Sequence, residues 1–232
     1  MSETLTPKVA VVDYEMGNLY SISQACQHVG LTPLITKNKK DILNADAVIL
    51  PGVGAFGEAM KHLQQYDLIA PIKDFVARGK PFMGICLGMQ LLLTESEEFG
   101  THKGLDLIQG RVRRLHSQST SNSISKIPEV GWNRIYAPLD EKNVWEKTPL
   151  QSLGKGEYMY FVHSYVVAPA EKDVVLSHTC YEGDEFCSTL HYKNIFAVQY
   201  HPEKSAHKGI EIYHQWALTI AHALEGNSCR RN

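Results

Sequence analysis

The segment Pro81-Phe-Met-Gly-Ile-Cys-Leu-Gly-Met-Gln-Leu-Leu-Leu93 joins an apolar, strand-like run to a second apolar run with a helical pattern. At the junction, Gly84-Ile-Cys-Leu-Gly88 has the spacing G-x-C-x-G, the thiol version of a nucleophile elbow. The flanking glycines leave room for a sharp turn from strand into helix. Unpaired N–H groups and the dipole at a helix start favour a thiolate, so Cys86 is predicted to be a nucleophile.

Strand and helix patterns alternate around this turn through the first half of the chain. Strands are expected at 8–13, 32–36 and 47–50, with helices after Asn18 and over 58–77 with a break at Pro71. Repeated β-α units predict an α/β fold, a mainly parallel central sheet with helices on both faces. Further short strands are expected at 107–115, 132–136, 158–162, 173–177, 186–192 and 195–200, followed by a helix at 205–224.

The chain shows no internal repeat and no Pro- or Gly-rich linker, which favours a single domain. We expect that domain at residues 8–226, with an N-terminal tail at 1–7 and a C-terminal tail at 227–232. The first seven residues lack the basic start and the long apolar segment of a signal peptide. Ser117-Gln-Ser-Thr-Ser-Asn-Ser123 is polar and of low complexity, and is expected to be a surface loop.

Composition indicates an ordinary globular protein of 232 residues, with 44% hydrophobic and 21% charged residues. A net charge of −2 gives no reason to expect nucleic acid or an anionic membrane as a partner. No apolar run reaches the roughly 18–20 residues needed to cross a bilayer. Five scattered cysteines argue against a disulfide framework, so a reduced, cytoplasmic protein is expected.

A base for Cys86 is predicted at His201-Pro-Glu203, which follows the apolar run 195–200. Cysteine catalysis usually needs an imidazole that takes the proton and later delivers it to the leaving group. Pro202 biases His201 toward an extended backbone, which would place Glu203 on the same side as the imidazole. Cys86, His201 and Glu203 together predict cysteine-dependent acyl transfer.

Pro51-Gly-Val-Gly54 follows the strand expected at 47–50 and precedes a helical pattern. It is either a Gly-rich β-α turn without function or one side of an oxyanion hole. In the second case an N–H group among Gly52, Val53 and Gly54 would act together with the N–H of Leu87. The chain contains no G-x-x-x-x-G-K-[ST] sequence, so a nucleotide-binding P-loop is not expected.

A possible zinc set of His178, Cys180, Cys187 and His191 surrounds the turn at Gly183. On paired strands these spacings follow from ordinary side-chain alternation, and no C-x2-4-C pair is present. We therefore predict no metal site and no cofactor.

The motifs resemble those of the class I, triad-type glutamine amidotransferases over nearly the whole chain. In particular, the set is similar to the glutaminase subunits of imidazole glycerol phosphate synthase, which act in histidine biosynthesis. The matching segments, in order, are Asp13-Tyr14 with Gly17-Asn18-Leu19, Pro51-Gly-Val-Gly54-Ala-Phe56, Gly84-Ile-Cys-Leu-Gly-Met-Gln90, Val130-Gly-Trp-Asn133, Tyr160-Phe-Val-His-Ser-Tyr165 and His201-Pro-Glu-Lys-Ser205. The resemblance implies a three-layer, flavodoxin-like fold with added antiparallel strands.

The resemblance also implies roles for individual residues. Cys86 would attack the side-chain amide of L-glutamine, His201 would act as general base and acid, and Glu203 would orient His201. The substrate would be held by Gln90, Glu98 and the backbone of the segment that ends in His163, Ser164 and Tyr165.

A partner is implied as well, a (β/α)8-barrel cyclase subunit that forms a heterodimer with this chain. Trp132, Tyr160 and Lys204 would face the partner. Ammonia would pass to the barrel, which makes imidazole glycerol phosphate and aminoimidazole carboxamide ribotide.

Three features depart from the family's pattern: Glu129 stands where histidine is usual, Glu15 where a small residue is common, and the 117–123 insert is long. Two related functions stay open on the sequence alone: an amidotransferase subunit of a related sugar-modification pathway, and a stand-alone amidase of the same fold. A catalytically inactive binding protein is disfavoured, because no triad position is substituted.

Overall fold

The structure, a computed structural model, describes residues 6–116, 127–138, 143–154 and 156–228. The helices are α1 Leu19–His28, α2 Lys39–Asn44, α3 Phe56–Gln65, α4 Ile69–Ala77, α5 Leu87–Gln90 and α6 Ala206–Ser228, with 3-10 turns at Lys172–Val174 and Pro202–Lys204. The strands are β1 Lys8–Val12, β2 Thr32–Thr36, β3 Ala47–Leu50, β4 Phe82–Ile85, β5 Leu93–Ser96, β6 His102–Lys103, β7 Ile108–Arg114, β8 Glu129–Tyr136, β9 Gly156–His163, β10 Tyr165–Pro169, β11 Val175–Tyr181, β12 Asp184–Tyr192 and β13 Ile195–Val198.

All these strands belong to one mixed sheet. Its central run, β2-β1-β3-β4-β13, is parallel throughout, so the carboxyl ends of these strands lie at one edge. The sheet continues through β12, β10, β7, β5 and β6 with mostly antiparallel pairing, and β11, β8 and β9 branch from β12. The predicted α/β class, a parallel central sheet with added antiparallel strands, is confirmed.

Strands β3 and β4 are buried on both faces, which is why their sequences are continuously apolar. Alternate residues of β3 enter two separate cores. Val48 and Leu50 belong to the core under α3 and α4, whereas Ala47 and Ile49 belong to the core under α1 and α6. Helices therefore cover both faces of the sheet, as the three-layer arrangement requires.

The prediction of one helix over 58–77 with a break at Pro71 is wrong. Two helices, α3 and α4, are separated at residues 66–68, where Asp67 has a positive φ of 51°. Pro71 lies in the first turn of α4, where a missing N–H costs little because that group has no helical partner.

The helical pattern after Cys86 is also shorter than predicted, because α5 ends at Gln90 and β5 begins at Leu93. The Leu91 and Leu92 carbonyls accept hydrogen bonds from the Leu105 and Leu107 N–H groups, at 2.8 and 2.9 Å. Pairing with a distant segment thus replaces the helix that the apolar run suggested.

The proposed domain bounds stay a prediction, although α6 continues to Ser228, past the expected boundary at 226. The 117–123 insert lies outside the described residues. Within the described part of the chain, no helix has both the length and the apolar character needed to span a membrane.

Candidate active site

Three adjacent parallel strands bring the predicted catalytic segments to one edge of the sheet. Loop 51–54 follows β3, Cys86 follows β4, and His201 lies just beyond β13. The order β3-β4-β13 places Cys86 between the other two segments. The carboxyl ends of parallel strands are where α/β folds display functional groups.

Cys86 forms a tight strand-to-helix turn, as the elbow motif predicts. Its backbone has φ 53° and ψ −111°, a conformation that non-glycine residues rarely adopt. The Cys86 N–H donates to the Val198 carbonyl at 2.8 Å, which ties the turn to β13. A Cβ atom on Gly88 would lie 1.9 Å from the Leu50 carbonyl oxygen, so α5 can pack this closely on β3 only with glycine there.

His201 and Glu203 meet as predicted, although the local backbone differs from the prediction. His201 itself is extended, but Pro202–Lys204 forms a 3-10 turn in place of an extended segment. The Lys204 N–H donates to the His201 carbonyl at 3.0 Å, which closes that turn. Glu203 Oε1 still lies 2.8 Å from His201 Nδ1, and both side chains are buried.

The pKa of His201 is raised from 6.5 to about 10. Burial acts to lower this pKa, but the negative charge of Cys86, the hydrogen bond to Cys86 and the Glu203 carboxylate more than offset it. The pair therefore favours an imidazolium next to the sulfur. Such a cation can deliver a proton to a leaving group beside Cys86.

Cys86 and His201 share a cavity of about 220 Å³, a size that suits a small substrate. Most of the residues predicted to bind substrate or an oxyanion line it. They are Val53, Gly54, Leu87, Gln90, Glu98, His163, Ser164 and Tyr165. Val162, from the segment 160–165 that was expected to contact the substrate, lines it too, as does Pro128, which was not predicted. A larger cavity, about 750 Å³, lies at the opposite edge, near the amino ends of β4 and β13.

Gln90 and Glu98 both make contacts within the protein at this cavity. The Gln90 amide donates to the Tyr165 carbonyl at 2.9 Å and to Gln199 Oε1 at 3.1 Å. Glu98 Oε2 accepts the Phe56 N–H at 2.6 Å, so this carboxylate caps the start of α3. Gln199 was not predicted, and the signal for it is a polar residue in the apolar run 195–200.

Residues 51–54, the predicted oxyanion loop, are held in place by a hydrogen bond from Tyr14. The buried Tyr14 hydroxyl donates to the Pro51 carbonyl at 2.7 Å. A Cβ atom on Gly52 would lie 2.4 Å from that hydroxyl, which explains glycine at this position. Gly54 has a φ of +99°. Tyr14 belongs to a motif quoted above but had no predicted role.

The three residues predicted to face a partner form one group, which we call the docking cluster: Trp132, Tyr160 and Lys204. The Trp132 and Tyr160 ring centres are 6.1 Å apart, and Lys204 Nζ lies 6.0 Å from the Tyr160 ring centre. Trp132 is 53% exposed. The cluster is close to the cavity, because the His201 N–H donates to the Tyr160 carbonyl at 2.9 Å.

Glu129, one of the departures from the family's pattern, is buried opposite His163 in the β8–β9 pairing. Glu129 Oε2 lies 3.2 Å from His163 Nε2, and the two side chains are each 2% exposed. Asn133 donates to the other carboxylate oxygen at 2.8 Å. Glu15, by contrast, is exposed and contacts Tyr66 and Lys37.

The residues considered for zinc lie on β11 and β12, where His178 and Cys187 are directly opposite each other. Among the residues that the structure describes, no group of three or more His, Cys, Asp or Glu side chains is placed to hold a metal ion.

Residues 10–218 match the glutamine amidotransferase class-I family. The chain is 44% identical to imidazole glycerol phosphate synthase subunit HisH of Trichormus variabilis, over 89% of this chain and 93% of the relative. It is 42% identical to the subunit of the same name from Aquifex aeolicus, over 88% and 93% of the two chains.

Solved structures agree on the fold. A crystal structure of a glutamine amidotransferase superposes with a TM-score of 0.67 at 17% identity, covering 92% of this chain and 98% of the other. PurLQS from Thermotoga maritima gives a TM-score of 0.64 at 21% identity, covering 95% and 100%. The family match and the two relatives show that this chain belongs to the class I glutamine amidotransferases.

Proposed function

We propose that this chain is the glutaminase subunit of imidazole glycerol phosphate synthase, working in the cytoplasm as a heterodimer with a cyclase subunit. The observation that carries the proposal is His201, which contacts Glu203 on one side and Cys86 on the other within a small cavity. The names and high coverage of the two relatives support this function over a sugar-modification subunit or a stand-alone amidase.

In the first half of the reaction, the Cys86 thiolate attacks the side-chain amide carbon of glutamine. The carbonyl oxygen becomes an oxyanion, which accepts hydrogen bonds from the Leu87 N–H and from an N–H of the oxyanion loop. The intermediate collapses when the carbon–nitrogen bond breaks. His201 gives its proton to the departing nitrogen, so the products are ammonia and a glutamyl thioester on Cys86.

In the second half, the now neutral His201 takes a proton from water, and the hydroxide attacks the thioester carbon. Collapse of this second intermediate breaks the carbon–sulfur bond. Glutamate leaves, and the Cys86 thiolate and His201 imidazolium are restored. Throughout, Glu203 holds Nδ1 of His201 at 2.8 Å and stabilises its positive charge.

The docking cluster is proposed to contact the cyclase. Its Tyr160 carbonyl binds the His201 N–H, so a partner seated there would adjoin the catalytic imidazole. Ammonia released at Cys86 would pass to the cyclase, which makes imidazole glycerol phosphate and aminoimidazole carboxamide ribotide.

The test is to measure glutamine hydrolysis by the chain alone, with the cyclase, and with the cyclase plus its nucleotide ligand. We expect the rate to rise at each addition, because a glutaminase without an acceptor would waste glutamine. Equal rates in all three would instead indicate a stand-alone amidase. In the complex, Cys86→Ala should abolish glutamine-dependent synthesis and leave ammonia-dependent synthesis intact.

A further inference from the structure

Gln199 lies against the predicted nucleophile, two residues before His201. Its side chain is 0% exposed, and its amide nitrogen Nε2 lies 3.6 Å from Cys86 Sγ, within hydrogen-bond distance for sulfur. An amide this deeply buried must find partners inside the protein, since water cannot satisfy it.

The direction of this hydrogen bond is fixed by a chain of amides that starts at the backbone. The Tyr165 carbonyl can only accept, so the group of Gln90 that faces it is the NH2 group. The second hydrogen of that NH2 group points to Gln199, which must therefore present its oxygen. The remaining end of Gln199, its own NH2 group, then faces Cys86 and can only donate.

A donor of this kind favours the charged form of sulfur, because a thiolate accepts hydrogen bonds more strongly than a thiol. Cys86 also has polar contacts with His201 and with the Val162 carbonyl. The contact with Val162 is longer, at 3.8 Å, and would need the thiol as donor. The ionisable groups that share the site or interact with Cys86 are His201, Tyr14, Glu98, His163 and Tyr165.

We propose that Gln199 is a further catalytic residue, which donates a hydrogen bond to the Cys86 thiolate. The inference rests on the proposed function, because it assigns a role at the same nucleophile. The bond holds the sulfur as a thiolate before attack on glutamine. It acts again when the thioester is hydrolysed, because the carbon–sulfur bond then breaks and its electron pair returns to sulfur beside a waiting donor.

The test is the rate at which iodoacetamide alkylates Cys86 at neutral pH, followed by mass spectrometry of the Cys86 peptide. Exposed Cys180 provides an internal standard in the same sample. Gln199→Met keeps most of the volume and removes the donor, so alkylation of Cys86 should slow about tenfold, as expected for losing a hydrogen bond to a charged group. In the cyclase complex, kcat for glutamine should fall more than KM rises.

A second variant distinguishes two roles of Gln199: donating a hydrogen bond to the Cys86 sulfur, and accepting the hydrogen bond that positions Gln90. Gln199→Glu retains an oxygen acceptor for the Gln90 amide but presents no NH2 group to sulfur, so it should also slow alkylation. If Gln199→Met does not fold, the alkylation rate of Gln199→Glu alone tests whether Gln199 donates to sulfur. The matched control is Tyr200→Phe, which removes a buried hydroxyl that contacts Thr189 at 3.0 Å.

The proposal would be overturned if Cys86 were alkylated at the wild-type rate in the folded Gln199 variants. It would also be overturned if Tyr200→Phe slowed the alkylation of Cys86 as much as the Gln199 variants do. Iodoacetamide needs neither glutamine nor cyclase, so this result is independent of the proposed function. The proposed function is contradicted by a different result, namely a wild-type complex that does not use glutamine, whatever the alkylation rates are.

Discussion

Replacing Glu203 with glutamine tests whether this carboxylate orients the catalytic imidazole. The substitution keeps the size of the side chain but removes its charge. In the structure, Glu203 Oε1 accepts from His201 Nδ1 at 2.8 Å, and the carboxylate is fully buried, so no water can take its place. The amide group that replaces the carboxylate could instead offer an N–H to Nδ1, which would favour the wrong tautomer of His201.

The size of the effect follows from the bond that is lost. A hydrogen bond to a charged group is worth about 1.5–3 kcal/mol, which corresponds to roughly a 10- to 150-fold lower kcat. A wrong tautomer can raise the loss toward about 10⁴-fold, as in serine-protease triads. His201→Ala should lose at least as much, because the imidazole itself moves the proton.

The pH dependence should change as well. Glu203 contributes to raising the pKa of His201 to about 10, so Glu203→Gln lowers that pKa. The imidazolium that protonates the leaving nitrogen is then lost at lower pH. Activity of the variant should therefore fall at a less alkaline pH than that of the wild type.

The assay is glutamine-dependent synthesis by the cyclase complex, with ammonia-dependent synthesis as the check that the complex is intact. Glu211→Gln is the matched control, since Glu211 Oε1 contacts His207 Nδ1 at 2.9 Å in a similar but more exposed pair on α6. That variant should match the wild type. Near wild-type activity of Glu203→Gln in an intact complex would refute the orienting role.

Three further predictions concern the loop, the buried pair and the docking cluster. Gly54→Ala, at φ +99°, should reduce stimulation by the cyclase about tenfold or more without changing its Kd, whereas Gly30→Ala, at φ +80° in open space, should not. Glu129→Ala should lower the free energy of unfolding by about 3 kcal/mol in urea titrations, since it breaks a buried pair; a loss below about 0.5 kcal/mol would contradict this. Trp132→Ala should weaken cyclase binding about 30-fold in calorimetry, as loss of an aromatic anchor does, while exposed Tyr20→Ala should leave Kd unchanged; equal Kd values would exclude the docking cluster.

The central sheet was predictable because β1, β3, β4 and β13 are apolar runs separated by clear helix and turn signals. β2 and β3 have the predicted bounds, and the G-x-C-x-G motif spans the turn from β4 into α5. The predicted elements were wrong where contacts with a distant segment override the local conformational preference of the sequence. The run 87–93 looks helical, but hydrogen bonds to residues 105–108 end α5 at Gln90 and leave β5 in its place.

At the site, the contact between His201 and Glu203 could be predicted from the sequence, but the backbone conformation that brings them together could not. An extended segment was expected, but Pro202–Lys204 forms a 3-10 turn. His201 itself is extended, and the turn that follows it still brings Glu203 Oε1 to 2.8 Å from His201 Nδ1. Gln199 and Tyr14 were missed for a different reason. Their importance depends on hydrogen bonds to Cys86 and Pro51, which come from segments far apart in the chain.

The most direct test of the central claim is to treat the cyclase complex with a glutamine-mimicking alkylating agent and to map the adduct by mass spectrometry. We predict modification of Cys86 alone. Cys26 and Cys187 are buried, and burial raises the pKa of both thiols, that of Cys26 to about 12. Cys180 is exposed but lies outside the cavity that Cys86 and His201 share. Glutamine should protect Cys86, and glutamine-dependent activity should fall in step with labelling. An adduct on any other cysteine, with activity lost, would contradict the assignment of Cys86 as the nucleophile.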